Sequence, residues 1–354
     1  MKKLVLILVL VVGLLIYTDN LDVIKKVNIS DAKLSYGIKV RPLPRTYNAY
    51  VGVVLTASPN ANETVLAIKR FNVPVIVVFD NETIDTVKSV VSTDYNVPVS
   101  VGYFVSNAQY DQIKEEIDSI ESNYSISISA LVTRGDLLTE DHVRFGANRN
   151  IPVLVLSSKT GYSFGQVGEY TVDTVVFDVI YYDNITEIDA PVIRARIKDM
   201  LLEGQGVMLF GTSVLTFSGE DAETAISAFA GTINEMSKDI NFFNGDINKV
   251  STFLLHYKDV VDQLKVEGAI TSDENEYGKR VIIHMKKWYE DVSIVIPRTM
   301  GGLNSYTLTS ITIYSGDKKV TSYDVVMTES ERIIYPLKDM ENVKIYVFYS
   351  TNKG

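Results

Sequence analysis

Short runs of nearly continuous valine, isoleucine and leucine alternate with stretches of helical period from about residue 49 onward, and this alternation predicts strand and helix in turn. The predicted strands are Tyr50 to Leu55, Val73 to Phe79, Val97 to Phe104, Ile126 to Val132, Ile151 to Leu156, Thr174 to Ile180 and Val207 to Phe210. Helical spacing marks Thr64 to Phe71, Ile84 to Val91, Tyr110 to Ile120 and Ala222 to Met236; in the last, Ala222, Ile226, Phe229, Ala230 and Ile233 share one face. Strands that are apolar throughout must be covered on both faces, so the pattern predicts an α/β fold: an irregular barrel or sheet of about seven parallel strands. Only Ser125-Ile-Ser-Ile-Ser alternates strictly, which suits an edge strand.

The texture changes after about residue 272. Thr271-Ser-Asp-Glu-Asn-Glu-Tyr-Gly is polar and turn-forming, and beyond it the helical period gives way to short strands at regular spacing. These are Val281 to Met285, Val292 to Ile296, Tyr306 to Tyr314, Val320 to Met327, Arg332 to Tyr335 and Val343 to Tyr349, as in a small antiparallel β-sandwich. In the last, Val343, Ile345, Val347 and Tyr349 fall on one face. The expected division is therefore a leader at 1–26, a β/α domain at 27–272 and a sandwich at 273–354.

The leader rests on Lys2 and Lys3 followed by an apolar run from Leu4 to Tyr17 and then Asp19 and Asp22. That run fits a secretory h-region but falls short of the ~20 residues that span a bilayer comfortably. No small-x-small cleavage pattern follows, and the first alanine is Ala32, so a signal anchor competes with a cleaved signal peptide. Charge on the N-terminal flank directs the remainder outside the cytoplasm, membrane-anchored or secreted. Glycosylation sequons at Asn28, Asn62, Asn81, Asn123 and Asn184 are compatible with export, though such short patterns arise by chance.

Composition narrows the chemistry. The 354-residue chain carries 34 basic and 44 acidic side chains, a formal charge of −10, which repels nucleic acid and anionic lipid. It has no cysteine, so disulfides, thiolate metal sites and cysteine nucleophiles are excluded, and it has only three histidines, His142, His256 and His284. Those three sit in different elements, and a solvated or packed role is expected for each. Ser213 in Gly211-Thr-Ser-Val-Leu lacks the second glycine of a nucleophile elbow. Gly161 to Gly168 is glycine-rich but lacks the helix a phosphate loop requires. Asp80, Asp136 and Asp178 follow or end strands and are candidates for paired acid and base, against the simpler role of turn or cap residues.

Residues 51 to 74 read Val-Gly-Val-Val-Leu-Thr-Ala-Ser-Pro-Asn-Ala-Asn-Glu-Thr-Val-Leu-Ala-Ile-Lys-Arg-Phe-Asn-Val-Pro. This segment resembles the opening of the polysaccharide deacetylase, or NodB-homology, family: strand, aspartate pair, helix, then Asn-Val-Pro into the next strand. The resemblance continues through Gly102 to Asn107 and at Gly206-Val-Met-Leu-Phe-Gly-Thr, and extends over about residues 45 to 265. It implies a deacetylase-like (β/α) barrel and removal of acetyl groups from glycans by a metal-bound water, with one aspartate as base and another aspartate plus two histidines as ligands. Such chemistry needs several side chains on one divalent ion and a carboxylate within reach of the water. The chain departs from that pattern position by position. Thr56 and Ala57 stand at the aspartate pair, followed by Ser58 and Pro59, Tyr103 or Phe104 and Asn107 at the histidine pair, Phe210 or Gly211 at the late histidine, and Thr133-Arg-Gly-Asp-Leu-Leu at the segment after the fourth strand. A rival register through Phe79-Asp-Asn-Glu-Thr keeps Asp80 but breaks the spacing to Asn-Val-Pro and finds no histidine pair.

The expectation is thus a degenerate member without metal, cofactor or catalytic residues, in which the C-terminal rim of the strands still binds ligand. The candidate binding residues are Tyr103, Asn107, Arg134, Asp136, Asp178, Tyr181, Tyr182 and Phe210, with Phe104 beside them. Aromatic faces stack on pyranose C–H groups while amide, carboxylate and guanidinium groups fix hydroxyls, so a glycan or envelope polymer is the expected partner, with the membrane contacted through the leader. Aromatics that merely fill the mouth are the plainer alternative. Two further readings remain open: a glycan hydrolase with a relocated carboxylate site, and a surface protein that assembles through its sandwich.

Overall fold

The computed structural model describes residues 32–44, 47–106, 109–301 and 306–351. The predicted leader lies outside the described residues, and among those described no helix is long and apolar enough to cross a membrane. Two short strands come first, β1 (Ala32–Lys33) and β2 (Lys39–Arg41). Then follow β3 (Tyr50–Thr56), α1 (Ala61–Arg70), β4 (Val75–Phe79), α2 (Val87–Val91), β5 (Val99–Phe104), α3 (Tyr110–Tyr124), β6 (Ala130–Arg134), α4 (Glu140–Arg149) and β7 (Val153–Ser157). The barrel part ends with β8 (Gly161–Val167), β9 (Tyr170–Tyr181), α5 (Ala190–Leu202), β10 (Val207–Ser213) and α6 (Glu220–Met236), and α7 (Ile247–Lys265) comes next.

Seven of these strands pair in parallel in the order β3-β4-β5-β6-β7-β9-β10, and β10 pairs back onto β3, closing a barrel. Every expected strand of the first domain is one of the seven. The closure explains their apolar runs, because one face of each strand fills the barrel and the other is covered by helices. Asn60 illustrates how sequence starts an element: its side chain accepts from the Asn62 N–H at the N-cap of α1, with Glu63 in the first turn and Lys69 and Arg70 in the last.

One expectation is corrected here. Ser125-Ile-Ser-Ile-Ser is no edge strand: Ser125 takes a left-handed conformation at the end of α3, and the Ile128 N–H donates to the Glu121 carboxylate. The strand begins at Ala130 and lies inside the ring between β5 and β7. The glycine-rich stretch from Gly161 is strand β8, antiparallel to the first part of β9.

The C-terminal strands are β11 (Ile270–Asn275), β12 (Gly278–Trp288), β13 (Ser293–Pro297), β14 (Thr299–Met300), β15 (Tyr306–Ser315), β16 (Lys318–Val320), β17 (Tyr323–Met327), β18 (Glu331–Pro336) and β19 (Met340–Thr351). They form the expected antiparallel sandwich, with one sheet in the order β1-β2-β13-β18-β17 and the other β11-β12-β19-β15-β14 with β16 on β15. Val343, Ile345, Val347 and Tyr349 are all buried, as their spacing required, and meet Val281, Ile283, Trp288, Ile294 and Ile334 in the core. The Trp288 indole N–H donates to the Val292 carbonyl at 2.8 Å, so the largest buried ring leaves no polar atom unsatisfied.

The chain divides into two compact units, one of 50–200 and 207–251, the other of the described part of 29–49 with 201–206 and 252–354. The division runs through α7 instead of falling at residue 272. The sandwich also takes β1 and β2 from the span expected to belong to the barrel domain.

Candidate site at the barrel mouth

Side chains alternate along a strand, so one contact fixes which residues face the bore. A Cβ placed on Gly102 would touch Val132, Ile76 and Val78, and one on Gly211 would meet the Tyr181 ring at 2.8 Å and Val179 at 2.9 Å. Phe104, Arg134 and Tyr181 are therefore inward-facing at the C-terminal ends of their strands. The last residues of six barrel strands, Thr56, Phe79, Phe104, Arg134, Ser157 and Tyr181, line one open cavity of about 500 Å³. Val78, Asp80, Asp136, Leu156, Ser158 and Asp183 complete its wall.

Backbone geometry holds these groups in place. Because Gly211 has no side chain, the Tyr181 ring passes over β10, and its hydroxyl lies 3.4 Å from the Thr56 hydroxyl on β3. The Arg134 guanidinium sits 5.9 Å from the centre of the Phe104 ring, a cation–π arrangement between neighbouring strands. Asp80 closes the turn after β4: one carboxylate oxygen accepts from the Glu82 and Thr83 N–H groups and from the Thr83 hydroxyl. Asp136 rides on the turn after β6, where the Leu137 N–H donates to the Arg134 carbonyl. Asp80, Asp136 and Asp183 thus line the same cavity as the Arg134 guanidinium.

Arg134, Asp136 and Tyr181 are the expected binding residues that the fold brings together, with Phe104. Four others are elsewhere. Tyr103 is one residue out of phase with Phe104 and points to the helical layer, where its buried hydroxyl donates within a pair formed by Asn81 and Glu116. Burial and the Glu116 hydrogen bond hold that phenol well above its ordinary pKa. Phe210 is likewise outward and buried, edge-on to Phe229 of α6 at 5.7 Å. Asp178 lies three residues before the mouth on the outward side of β9, paired in register with Gly161 of β8 and Val155 of β7. Tyr182 follows β9, its N–H donating to the Gly211 carbonyl, and its side chain is not part of the cavity wall. Asn107 lies outside the described residues. The sequence reading missed Thr56, Ser157, Ser158 and Asp183; their signal was a polar residue at or just past the end of each apolar run.

The residues present do not fit the metal site that the family resemblance implies. Among the described residues no three of His, Asp and Glu are grouped so as to hold an ion. At the position of the family's aspartate pair stand Thr56, whose hydroxyl lies 3.4 Å from that of Tyr181, and the buried Ala57, and just after it the Ser58 hydroxyl donates to Glu63 at 2.6 Å. His142 is buried at the start of α4, where its Nδ1 accepts from the Thr139 N–H in a capping box. Burial pushes its pKa down to about 4, against a smaller opposing pull from Asp141. His256 pairs with Asp291 and stacks on Tyr289 in the sandwich unit, and His284 lies on β12.

No family model and no curated protein sequence matches the chain. Solved structures similar to it include polysaccharide deacetylases. One, a protein named as a polysaccharide deacetylase of Mycobacterium smegmatis, shares 11% identity at a TM-score of 0.42 over 61% of this chain and 94% of its own. A protein named as a glycoside hydrolase/deacetylase of Parabacteroides distasonis shares 11% at 0.45, over 76% of this chain and 82% of its own. A mutant of a CE4 family pseudoenzyme with restored enzymatic activity shares 9% at 0.36, over 59% of this chain and 70% of its own.

Proposed function

We propose that the protein is a degenerate, polysaccharide deacetylase-like barrel that binds a glycan or cell-envelope polymer at its mouth without hydrolysing it. It does so outside the cytoplasm, held at the membrane by its N-terminal segment. The observation that carries this reading is the convergence of six strand ends on one open cavity lined by Phe104, Tyr181, Arg134 and three aspartates. Such a wall offers apolar ring edges beside a forked donor and several acceptors, the combination that fixes a sugar ring by its faces and its hydroxyls. The donor set lacks the histidines that family chemistry would use, which supports binding over turnover.

One observation favours a second reading. Asp80, Asp136 and Asp183 share the cavity, so two carboxylates could act as acid and base in hydrolysis. Calorimetric titration of the full-length protein in detergent with a panel of glycans, alongside turnover on acetylated chito-oligosaccharides and an acetylated ester with zinc, cobalt or nickel added, separates the two. Binding without turnover is expected, weakened about tenfold, or about 1.4 kcal/mol, by Arg134→Ala. Turnover abolished by Asp136→Asn would establish the hydrolytic reading, and no binding to any glycan would remove the first.

A further inference from the structure

The sandwich manages its sheet edges unequally. β1 and β14 are two residues long, β16 is three, and β11 carries Asp273 and Glu274, so each is too short or too charged to template another strand. β17 differs. It reads Tyr-Asp-Val-Val-Met with no lysine, proline or bulge, and pairs only with β18 among the described residues. Its register with β18 places Tyr323, Val325 and Met327 on the core-facing side, since Val325 opposes the fully buried Ile334. Even so, Val325 is 38% and Met327 71% exposed, so the apolar face of the sheet runs past its own cover.

The hydrogen-bond phase of this edge can be read from the turn beside it. The Thr328 N–H donates to the Glu331 carbonyl, so by alternation Val326 and Asp324 bond to β18 while the N–H and C=O of Tyr323, Val325 and Met327 point off the sheet. We propose that a second copy of this chain occupies the edge, its β17 antiparallel to the first about a two-fold axis through Val325. In that register Val325 faces its own mate and Tyr323 faces Met327, so the outward backbone groups bond one another and an aromatic ring covers the exposed thioether. Asp324 falls opposite Val326, which keeps like charges apart. The same surface on both copies makes the contact closed and two-fold. The resulting seam joins two five-stranded sheets into one and covers the apolar side chains that the monomer leaves open.

A chain without cysteine makes the test direct. Residues facing each other across a bonded antiparallel pair have Cα atoms about 5.5 Å apart, within disulfide reach. Full-length Val325→Cys in detergent, treated with a mild oxidant, is expected to give a covalent dimer roughly tenfold or more faster than Tyr277→Cys on another exposed turn, because pairing raises the local thiol concentration. Sedimentation of the unmodified protein is expected to show two chains per particle, falling to one in Met327→Lys, which still unfolds cooperatively but at a lower temperature, since the pairing no longer stabilises the folded chain. Val325→Cys cross-linking no faster than Tyr277→Cys, or one chain per particle in the unmodified protein, overturns the proposal. Asp324→Cys cross-linking as fast as Val325→Cys overturns the register.

Discussion

The barrel and the sandwich solve the same problem, burying strands, in opposite ways. In the barrel each strand pairs with one close by in sequence and the ring closes, so no strand among its seven parallel members is left with a bare edge. The sandwich draws strands from both ends of the described chain and stays open, with the five-residue β17 as an unblunted edge. Closure gathers the barrel's strand ends around one cavity, where the proposed ligand site lies, while openness leaves the sandwich the edge proposed for pairing with a second copy.

The largest test of this contrast is on the sandwich core. Trp288→Ala removes a fully buried ring and strands the Val292 carbonyl, and is expected to cost about 3–5 kcal/mol, read by denaturant unfolding. A loss below about 1 kcal/mol would mean that the two sheets do not depend on their shared core.

In the barrel unit the comparable lever is pH. The His142 pKa is depressed from 6.5 to about 4 in the folded protein. Above pH 6.5 the ring is neutral whether the chain is folded or not, and contributes no pH dependence. As pH falls from about 6.5 toward 4 the unfolded chain takes up the proton first, so stability is lost across that window, at about 1.4 kcal/mol for each unit of the shift. Unfolding free energies of the protein and of His142→Gln, compared at pH 7, 5.5 and 4.5, should differ most in slope, the variant being flatter.

A smaller effect is expected at the mouth itself. Gly211→Ala places a methyl 2.8 Å from the Tyr181 ring, costing about 1–3 kcal/mol if the neighbours cannot yield. It should also move Tyr181 away from Thr56 and weaken glycan binding, while Gly231→Ala, on α6 with nothing within 4 Å of the added methyl, leaves both unchanged. Equal binding by both variants would detach Tyr181 from the site.

The same contrast governs how much could be read from sequence. All seven barrel strands were legible because two-sided burial writes unbroken apolar runs. Several of their last residues were not, because Thr56, Ser157 and Tyr181 turn polar or amphipathic where the run reaches the mouth. The site therefore begins where the hydrophobic signal ends. Tyr103 and Phe104 could not be told apart, since two adjacent aromatics fit either phase and only neighbouring strands decide which one faces the bore. β8 was hidden by its glycines and polar residues. β1 and β2 were hidden by length, because a strand of two or three residues has no period, and its partner stands far along the chain.

That last pairing has a consequence for the order in which the molecule assembles. Lys39 on β2 bonds Glu331 on β18 at 2.9 Å across 292 positions of chain, and Val40 lies against Ile294 of β13. A ribosome making about 5–20 residues each second delivers the barrel strands early and in neighbouring order, but leaves β1 and β2 waiting many seconds for their mates. Loop closure over such a span is slow compared with pairing between adjacent strands. The first strands of the described chain are thus among the last to find their place, and the sandwich closes only after the final strand has been made.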